Sequence, residues 1–396
     1  TRFPFKHLPV TTAEFTWRGD GSSMTSGTKD TYRRTTEIIY RKYAPYAELI
    51  AGVRDGRQRH LERLHAQTSA KSYVCSIIIP TWNKVELTRQ CLTALAAATT
   101  DVFFEVIIVD NGSTDGTREF LSELKGDVQI IQNDQNLGFA KACNQGARAA
   151  RGKYLVFLNN DTIPQSQWLN PLVSEVEEHP EVGIVGSKLL FADGSIQHAG
   201  VVFMRSIPSA YHIYRSAPGT DPGVNQRRAF QAVTAACMLI RRELFEESHG
   251  FDEAFINGFE DVDLCLKVRE KGYHVIYQPR SVVYHLESQT PGRNEHENQN
   301  SQLLRERWGT HWWMGDEDLH YYQNGLKLVS GVQDVKFATQ LKPMHDVYDR
   351  ASWAHVAAAQ AAALKKDWES VKRELRLADH WPNDQFVLSW GAMVAE

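Results

Sequence analysis

Three apolar runs, each closed by polar residues or a proline, constrain the fold most: "YVCSIIIP" at 73–80, "FFEVIIVD" at 103–110 and "KYLVFLNND" at 153–161. Runs this short and this rich in β-branched and aromatic residues read as strands covered on both faces. Helical patterns lie between and after them: "KVELTRQCLTALAAAT" (84–99), "GTREFLSELKG" (116–126) and "GFAKACNQGARAARG" (138–152), with "DVQIIQN" (127–133) as a further strand. Strand and helix alternating through short connections give a mostly parallel sheet layered between helices, an α/β fold. Farther on, "GIVGSKLLFADGSIQHAGVVFM" (183–204) and "QAVTAACMLIRR" (231–242) are strand-like, with "ADGS" as a tight turn. "RRELFEESHG" and "FEDVDLCLKVREKG" then read as helices, and "YHVIYQP" and "SVVYHL" as two strands.

The alternating pattern covers about 72–290 of 396 residues, and such a length suggests two or three domains. The expected boundaries are an N-terminal loop and helical extension at 1–71, an α/β domain at 72–315 and a C-terminal helical region at 316–396. The first region is rich in Arg and is broken by Pro45. Its excess of basic residues reads first as a solvated helix face, with an anionic partner as the alternative. The last region contains "HVAAAQAAALKKDWESVKRELRLADHWPND", two antiparallel helices loosely like a tetratricopeptide hairpin. Either flank offers a surface for a protein partner or a membrane. A net charge of −4 gives no general attraction to nucleic acid, and none is expected as a partner. Five widely spaced cysteines without a C-x-x-C pair fit reduced, buried thiols. No run is long and apolar enough to span a bilayer, so a cytoplasmic location, peripheral at an inner membrane, is expected. The start at Thr1 rather than Met reads as a processed or excised piece.

Ligands of open parallel sheets bind outside the carboxyl ends of the strands. Three such ends carry polar or ring residues: Pro80-Thr81-Trp82, Asp110-Asn111-Gly112 and Asn159-Asn160-Asp161. Small residues after Asp110 would let backbone approach a ligand. The plain alternative is helix capping by Ser113, Thr114 and Asp115, for which Asp110 is not needed. No G-x-G-x-x-G follows the first strand and no G-x-x-x-x-G-K-[ST] occurs, which leaves dinucleotide oxidoreductases and P-loop NTPases unsupported.

Six stretches, "SIIIPTWNK", "VIIVDNGSTDGT", "NLGFAKACNQG", "FLNNDTIP", "LLFADGSIQHAG" and "GFEDVDLCLKVREKGY", occur in this order, and together they resemble family 2 glycosyltransferases of the GT-A fold. The likeness is greatest to bacterial enzymes of O-antigen and surface-glycan synthesis, rhamnosyltransferases among them. It covers 72 to about 290 and neither flank.

The resemblance implies a role for each strand end. Asp110 would accept the imide N–H of the donor's base, with Pro80, Thr81, Trp82, Asn111 and Gly112 around it. Asn136, Gly138 and Asn144 would pass near ribose and diphosphate. Asn159, Asn160 and Asp161 take the D-x-D position, with Asn159 where the pattern has an acid. Asp161 would then be the one carboxylate for Mg²⁺ or Mn²⁺, which are often held by one or two carboxylates plus substrate phosphates. A helix N-cap is the alternative for Asp161. His285 would join it as a ligand or stand as an ordinary polar group. In "GFEDVDLC", Asp261 would be the general base, with Glu260 orienting the acceptor. The bland alternative for these acids is favourable interaction with a helix dipole. Trp308, Trp312 and Trp313 would wall the sugar site or, the preferred reading, pack on the helical tail.

The implied activity is an inverting, metal-dependent transfer from a UDP- or dTDP-sugar to the hydroxyl of a glycan acceptor, lipid-linked in one version. Two rivals stay open. A nucleotidyltransferase would release pyrophosphate, but its glycine-rich basic loop is missing. A non-catalytic sugar-nucleotide-binding scaffold is favoured only by Asn159.

Overall fold

The computed structural model describes residues 73–99, 102–204, 209–286, 296–308, 315–328, 341–343 and 347–378. The expectations for 1–71, and for Trp312 and Trp313, lie outside the described residues. The first half alternates as anticipated: β1 Cys75–Thr81, α1 Val85–Ala98, β2 Phe104–Asp110, α2 Thr117–Ser122, β3 Val128–Gln132, α3 Phe139–Ala149 and β4 Tyr154–Leu158. Shorter elements follow: β5 Thr162–Pro164, α4 Asn170–Glu178, β6 Val182–Leu190, β7 Ile196–His198, β8 Val201–Phe203, β9 Ala210–His212 and β10 Arg228–Phe230. Then come β11 Cys237–Arg241, α5 Arg242–Glu247, α6 Glu260–Glu270, β12 His274–His285 and α7 Glu297–Trp308.

The strand order is β10-β12-β6-β11-β4-β1-β2-β3, with β5 added to β12 and β7 to β6. β1 is parallel to β2 and β4, β2 to β3, and β6 to β12. β11 lies antiparallel between β4 and β6, so β1–β4, β6 and β12 all point one way. Alternate side chains fill opposite faces. Ile78, Ile107, Val109, Leu155 and Phe157 join one buried cluster with α3, α5 and α6. Ile77, Ile79, Val106, Ile108, Val156 and Leu158 join the other with α1 and α4. Each fully buried aliphatic side chain contributes roughly 1.5–3 kcal/mol, which explains why these strands read as continuous apolar runs.

Three sequence expectations are corrected. "YHVIYQP" and "SVVYHL" form one strand, β12, because a register shift between Gln278 and Val282 accommodates Pro279 as a bulge. Residues after Asp161 form β5, paired with the end of β12, and the next helix begins only at Asn170. The N-cap alternative for Asp161 therefore falls. Trp308 packs against the domain rather than the tail: it is buried, and its Nε1–H donates to Asp263 of α6 at 3.0 Å.

Beyond α7 come α8 Glu317–Tyr322, a small ladder of β13 Leu326–Leu328 and β14 Leu341–Pro343, then α9 Val347–Leu364 and α10 Trp368–Leu377. α8 is tied to the domain by Phe203 N–H donating to Asp316 Oδ1 (2.8 Å) and Tyr211 O–H donating to Glu317 Oε2 (2.7 Å). Gln360 of α9 accepts from Leu319 N–H at 2.7 Å. Among the described residues, no helix is long and apolar enough to cross a membrane.

His198 gives the fold a pH dependence. It is fully buried and meets His212 edge-on, with ring centroids 4.7 Å apart. Burial first, then the neighbouring His212 and His285, hold its pKa well below the ordinary value. The unfolded chain takes up a proton there as pH drops below about 6.5, while the folded ring stays neutral. That stability is present above this pH and is lost as pH falls beneath it. The thermal midpoint should fall between about pH 7.5 and 5.5, with this residue contributing up to about 1.4 kcal/mol per pH unit. His198→Phe should flatten the decline in a thermal melt series; an unchanged slope would exclude His198 as its source.

Candidate active site

At the carboxyl edge, Thr81 and Asp110 stand opposite each other in the β1–β2 register. The loops that follow are clasped together. Asn83 N–H donates to Ser113 Oγ (2.7 Å), Thr114 N–H to Asn83 Oδ1 (2.7 Å), and Val85 N–H to Asp115 Oδ2 (3.1 Å). Asp115 Oδ1 also receives Thr117 Oγ1–H at 2.6 Å, so one aspartate secures the starts of α1 and α2. The small polar residues after β2 are thus largely committed to joining two loops. Asp110 shares in this. Its Oδ1 accepts Ser113 N–H (3.1 Å) and its Oδ2 accepts Arg118 Nε–H (3.1 Å). Beyond any capping of the helix, the carboxylate is fully buried and organises the turn. Arg118, which sequence reasoning missed, also donates to Asn133 O at 2.7 Å. Nothing in the spacing marked it.

Asn111 holds the neighbouring loop. Its Nδ2 donates to Asn136 Oδ1 (2.8 Å) and Gly138 O (3.2 Å), and its Oδ1 accepts Leu137 N–H (3.0 Å). Gly112 lies against that loop's backbone: a Cβ there would sit 2.6 Å from Gln135 Cα. Asn144 is nearly buried and points elsewhere, exchanging hydrogen bonds with Phe251 O (2.8 Å) and Phe251 N–H (3.0 Å). It ties α3 to the segment preceding α6. Pro80 is half-buried, and Trp82 is 36% exposed, a large apolar ring left facing solvent at the strand ends.

The second cluster gathers around the end of β4. β5 turns back along β12, so that His285 pairs with Thr162 and its ring meets Asp161. His285 Nε2 lies 3.0 Å from Asp161 Oδ1 and 3.3 Å from Asn159 Nδ2; its Nδ1 is 2.7 Å from Gln197 Oε1. Asn160 turns aside and donates to Thr88 Oγ1 of α1 at 3.0 Å. Asn159 Oδ1 is buried without a hydrogen-bond partner among the described residues. A carboxylate oxygen and an imidazole nitrogen 3.0 Å apart suit Mn²⁺, and the carboxylate suits Mg²⁺. Among the described residues, no group of three or more His, Cys, Asp or Glu is arranged to hold a metal. A cation here would therefore rely on oxygens from a ligand as well, and the residues fit that requirement.

The third cluster is the start of α6. Phe259, with φ 68°, turns the chain into the helix, and Asn257 Oδ1 accepts Phe139 N–H at 3.2 Å from the start of α3. Glu260 is buried and accepts Gly258 N–H at 2.6 Å. Asp261 is partly exposed; its Oδ2 accepts Ala235 N–H (3.0 Å) and its Oδ1 accepts Val262 N–H (2.9 Å). The next residue, Ala236, accepts Asn159 N–H at 3.0 Å. Asp261 and Asn159 are thereby fixed on consecutive residues of one backbone segment. Asp263 turns inward, fully buried, to Arg307 Nη1 (2.7 Å), Trp308 Nε1 (3.0 Å) and Lys267 Nζ (2.7 Å). Asp263→Ala should cost about 2 kcal/mol by removing charged hydrogen bonds that dock α7. Denaturant unfolding checks it, and a loss below about 0.5 kcal/mol would show that α7 docks without it.

Residues 76–248 match the family described as Glycosyl transferase family 2. These residues are a family 2 glycosyltransferase domain. The GT-A expectation holds with it: a sheet with most strands pointing one way, helices on both faces, and the polar clusters at its carboxyl edge. The chain is 34% identical over 252 residues to uncharacterized protein y4gI of Sinorhizobium fredii, covering 60% of this chain and 28% of that protein. It is 36% identical over 220 residues to the O-antigen biosynthesis protein RfbC of Myxococcus xanthus, covering 54% of this chain and 17% of that one. An N-acetylglucosaminyl-diphospho-decaprenol L-rhamnosyltransferase of Mycobacterium tuberculosis is 25% identical over 246 residues, covering 56% of this chain and 78% of the enzyme. The chain spans under a third of the length of the first two relatives.

Proposed function

We propose that this glycosyltransferase domain is an inverting, metal-assisted enzyme that moves a sugar from a UDP- or dTDP-sugar to an acceptor hydroxyl in bacterial surface-glycan synthesis. The observation that carries the reading is the shared backbone segment: Ala235 holds Asp261 and Ala236 holds Asn159, beside the Asp161–His285 pair. Asp261 and the Asn159–Asp161–His285 cluster are thus anchored next to each other at the sheet edge, which supports a proton acceptor beside a phosphate-side cluster.

In this reading the donor's base lies against Trp82, Thr81 and the Asp110 turn, with Asn111, Gly112, Asn136 and Gly138 shaping the wall. Asn144 serves by anchoring the segment before α6. Asp161 and His285 would hold Mg²⁺ or Mn²⁺, with Asn159 adjoining. Such an ion, when bound, neutralises charge on the departing diphosphate. The acceptor oxygen forms a bond to the anomeric carbon as the bond to the diphosphate oxygen breaks, and the diphosphate leaves with that electron pair. Asp261 takes the hydroxyl proton, and Glu260 supports the turn that presents it. A single displacement inverts the anomeric centre.

The names of RfbC and of the rhamnosyltransferase favour a glycan acceptor, lipid-linked in the second case. The domain would then work in the cytoplasm at the membrane face. The division at 1–71, 72–315 and 316–396 assigns transfer to the middle part and partner or membrane contacts to the flanks. NMR of UDP- and dTDP-sugars incubated with the full chain and a lipid-linked glycan acceptor tests the reaction class. Nucleoside diphosphate release with an inverted product linkage is expected; pyrophosphate release would assign a nucleotidyltransferase instead.

A further inference from the structure

The side chain that meets His285 Nδ1 lies on a different strand. Gln197 sits in the three-residue strand β7, whose pairing with β6 shifts register between Leu189 and Leu190. Side chains alternate along a strand. Ile196 joins an apolar cluster and His198 meets Tyr277, while Gln197 reaches the other way to His285. It is 1% exposed, and its Nε2 has no hydrogen-bond partner among the described residues. The side-chain hydrogen bond to His285 is therefore what its amide does at this position.

We propose that Gln197 is a positioning residue that holds the His285 proton on Nδ1 and so keeps the Nε2 lone pair facing Asp161 for a divalent cation. The inference rests on the metal-assisted reading above. A neutral imidazole carries one proton. With that proton donated from Nδ1 to Gln197 Oε1, Nε2 presents a lone pair 3.0 Å from Asp161 Oδ1. Two electron-rich atoms at that distance are reconciled by a cation bound to both. The Nδ2 of Asn159 also faces that nitrogen, at 3.3 Å from Nε2, and as a donor it favours the same form. Without the acceptor at Nδ1, the proton moves to Nε2 and hydrogen-bonds Asp161, which blocks both ligand atoms. Outer partners of metal-bound histidines act in this way, by fixing ring orientation and tautomer.

The test uses the full chain, with Gln197→Met removing the acceptor at similar length and Gln197→Glu restoring one. Nitrogen-15 NMR of labelled histidines, with His285 assigned through His285→Asn, reads the tautomer without metal at a pH where the ring is neutral. Wild type and Gln197→Glu should carry the proton on Nδ1, and Gln197→Met should carry it on Nε2. Titration with Mn²⁺ in the presence of saturating UDP or dTDP, followed by electron paramagnetic resonance, should show about 10–100-fold weaker binding of the protein-bound ion for Gln197→Met and near-wild-type binding for Gln197→Glu. A wild-type ring protonated on Nε2, or a tautomer indifferent to Gln197→Met, would overturn the inference. Unchanged Mn²⁺ affinity in Gln197→Met would overturn it too, with the metal reading left standing. If wild type binds no Mn²⁺ even with the nucleotide present, the metal reading and this inference fall together, and a wild-type Nδ1 proton would then leave Gln197 with an orienting role only.

Discussion

Asp261→Asn should lower sugar transfer by about 10²–10⁴-fold, the usual range for loss of a positioned general base. Nucleotide binding should stay within a few-fold of wild type, because Asp261 sits on the acceptor side of the proposed site. The carboxylate receives two backbone donors, Ala235 N–H on one oxygen and Val262 N–H on the other. An asparagine can receive only one of them and turns an amide toward the second, so a stability loss of about 1 kcal/mol accompanies the loss of activity. That cost is far too small to account for a thousandfold drop in rate. Initial-rate assays beside a thermal melt separate the two effects. A variant that keeps more than a tenth of wild-type activity would remove Asp261 from the role of base.

Gly112→Ala should be the most damaging single-methyl change at the proposed donor edge. Gly112 has φ 78°, where a Cβ costs roughly 1–2 kcal/mol. The added carbon would also lie 2.6–2.9 Å from three backbone atoms of Gln135, which cannot rotate away as a side chain could. Forcing the loops apart adds about 1–3 kcal/mol, for a total near 2–5 kcal/mol. Asn111 would be pulled from Asn136, Leu137 and Gly138, so nucleotide binding should weaken along with stability. Urea unfolding and nucleotide titration read the two consequences. Wild-type behaviour in both would mean that the loops are not packed as closely as described.

Much of this arrangement was legible in the amino-acid order. Strands such as β1 and β2 are buried on both faces, so their apolar runs are continuous and end where the chain reaches the ligand edge. β12 was harder, because Pro279 reads as a terminator unless a bulge can be foreseen. The candidate site was legible in its carboxylates but less so in their surroundings. Asp110, Asp161 and Asp261 follow strand or helix boundaries, which local patterns mark. Arg118 and Gln197 act through contacts that no local pattern encodes: one bonds across a turn and the other reaches a strand 88 positions away. Asn144 shows the converse. It lies in a stretch expected near the diphosphate, yet its amide is engaged with Phe251, because helix periodicity turns it to the buried side of α3.

The proposed transfer requires a nucleoside diphosphate bound together with a metal at Asp161 and His285. Calorimetric titration of UDP, dTDP and GDP, each with and without Mn²⁺, tests this directly in wild type and Asp161→Ala. The predicted result is Mn²⁺-dependent binding of UDP or dTDP that Asp161→Ala abolishes. Binding that ignores both Mn²⁺ and the substitution, or no binding of any of the three, would contradict it.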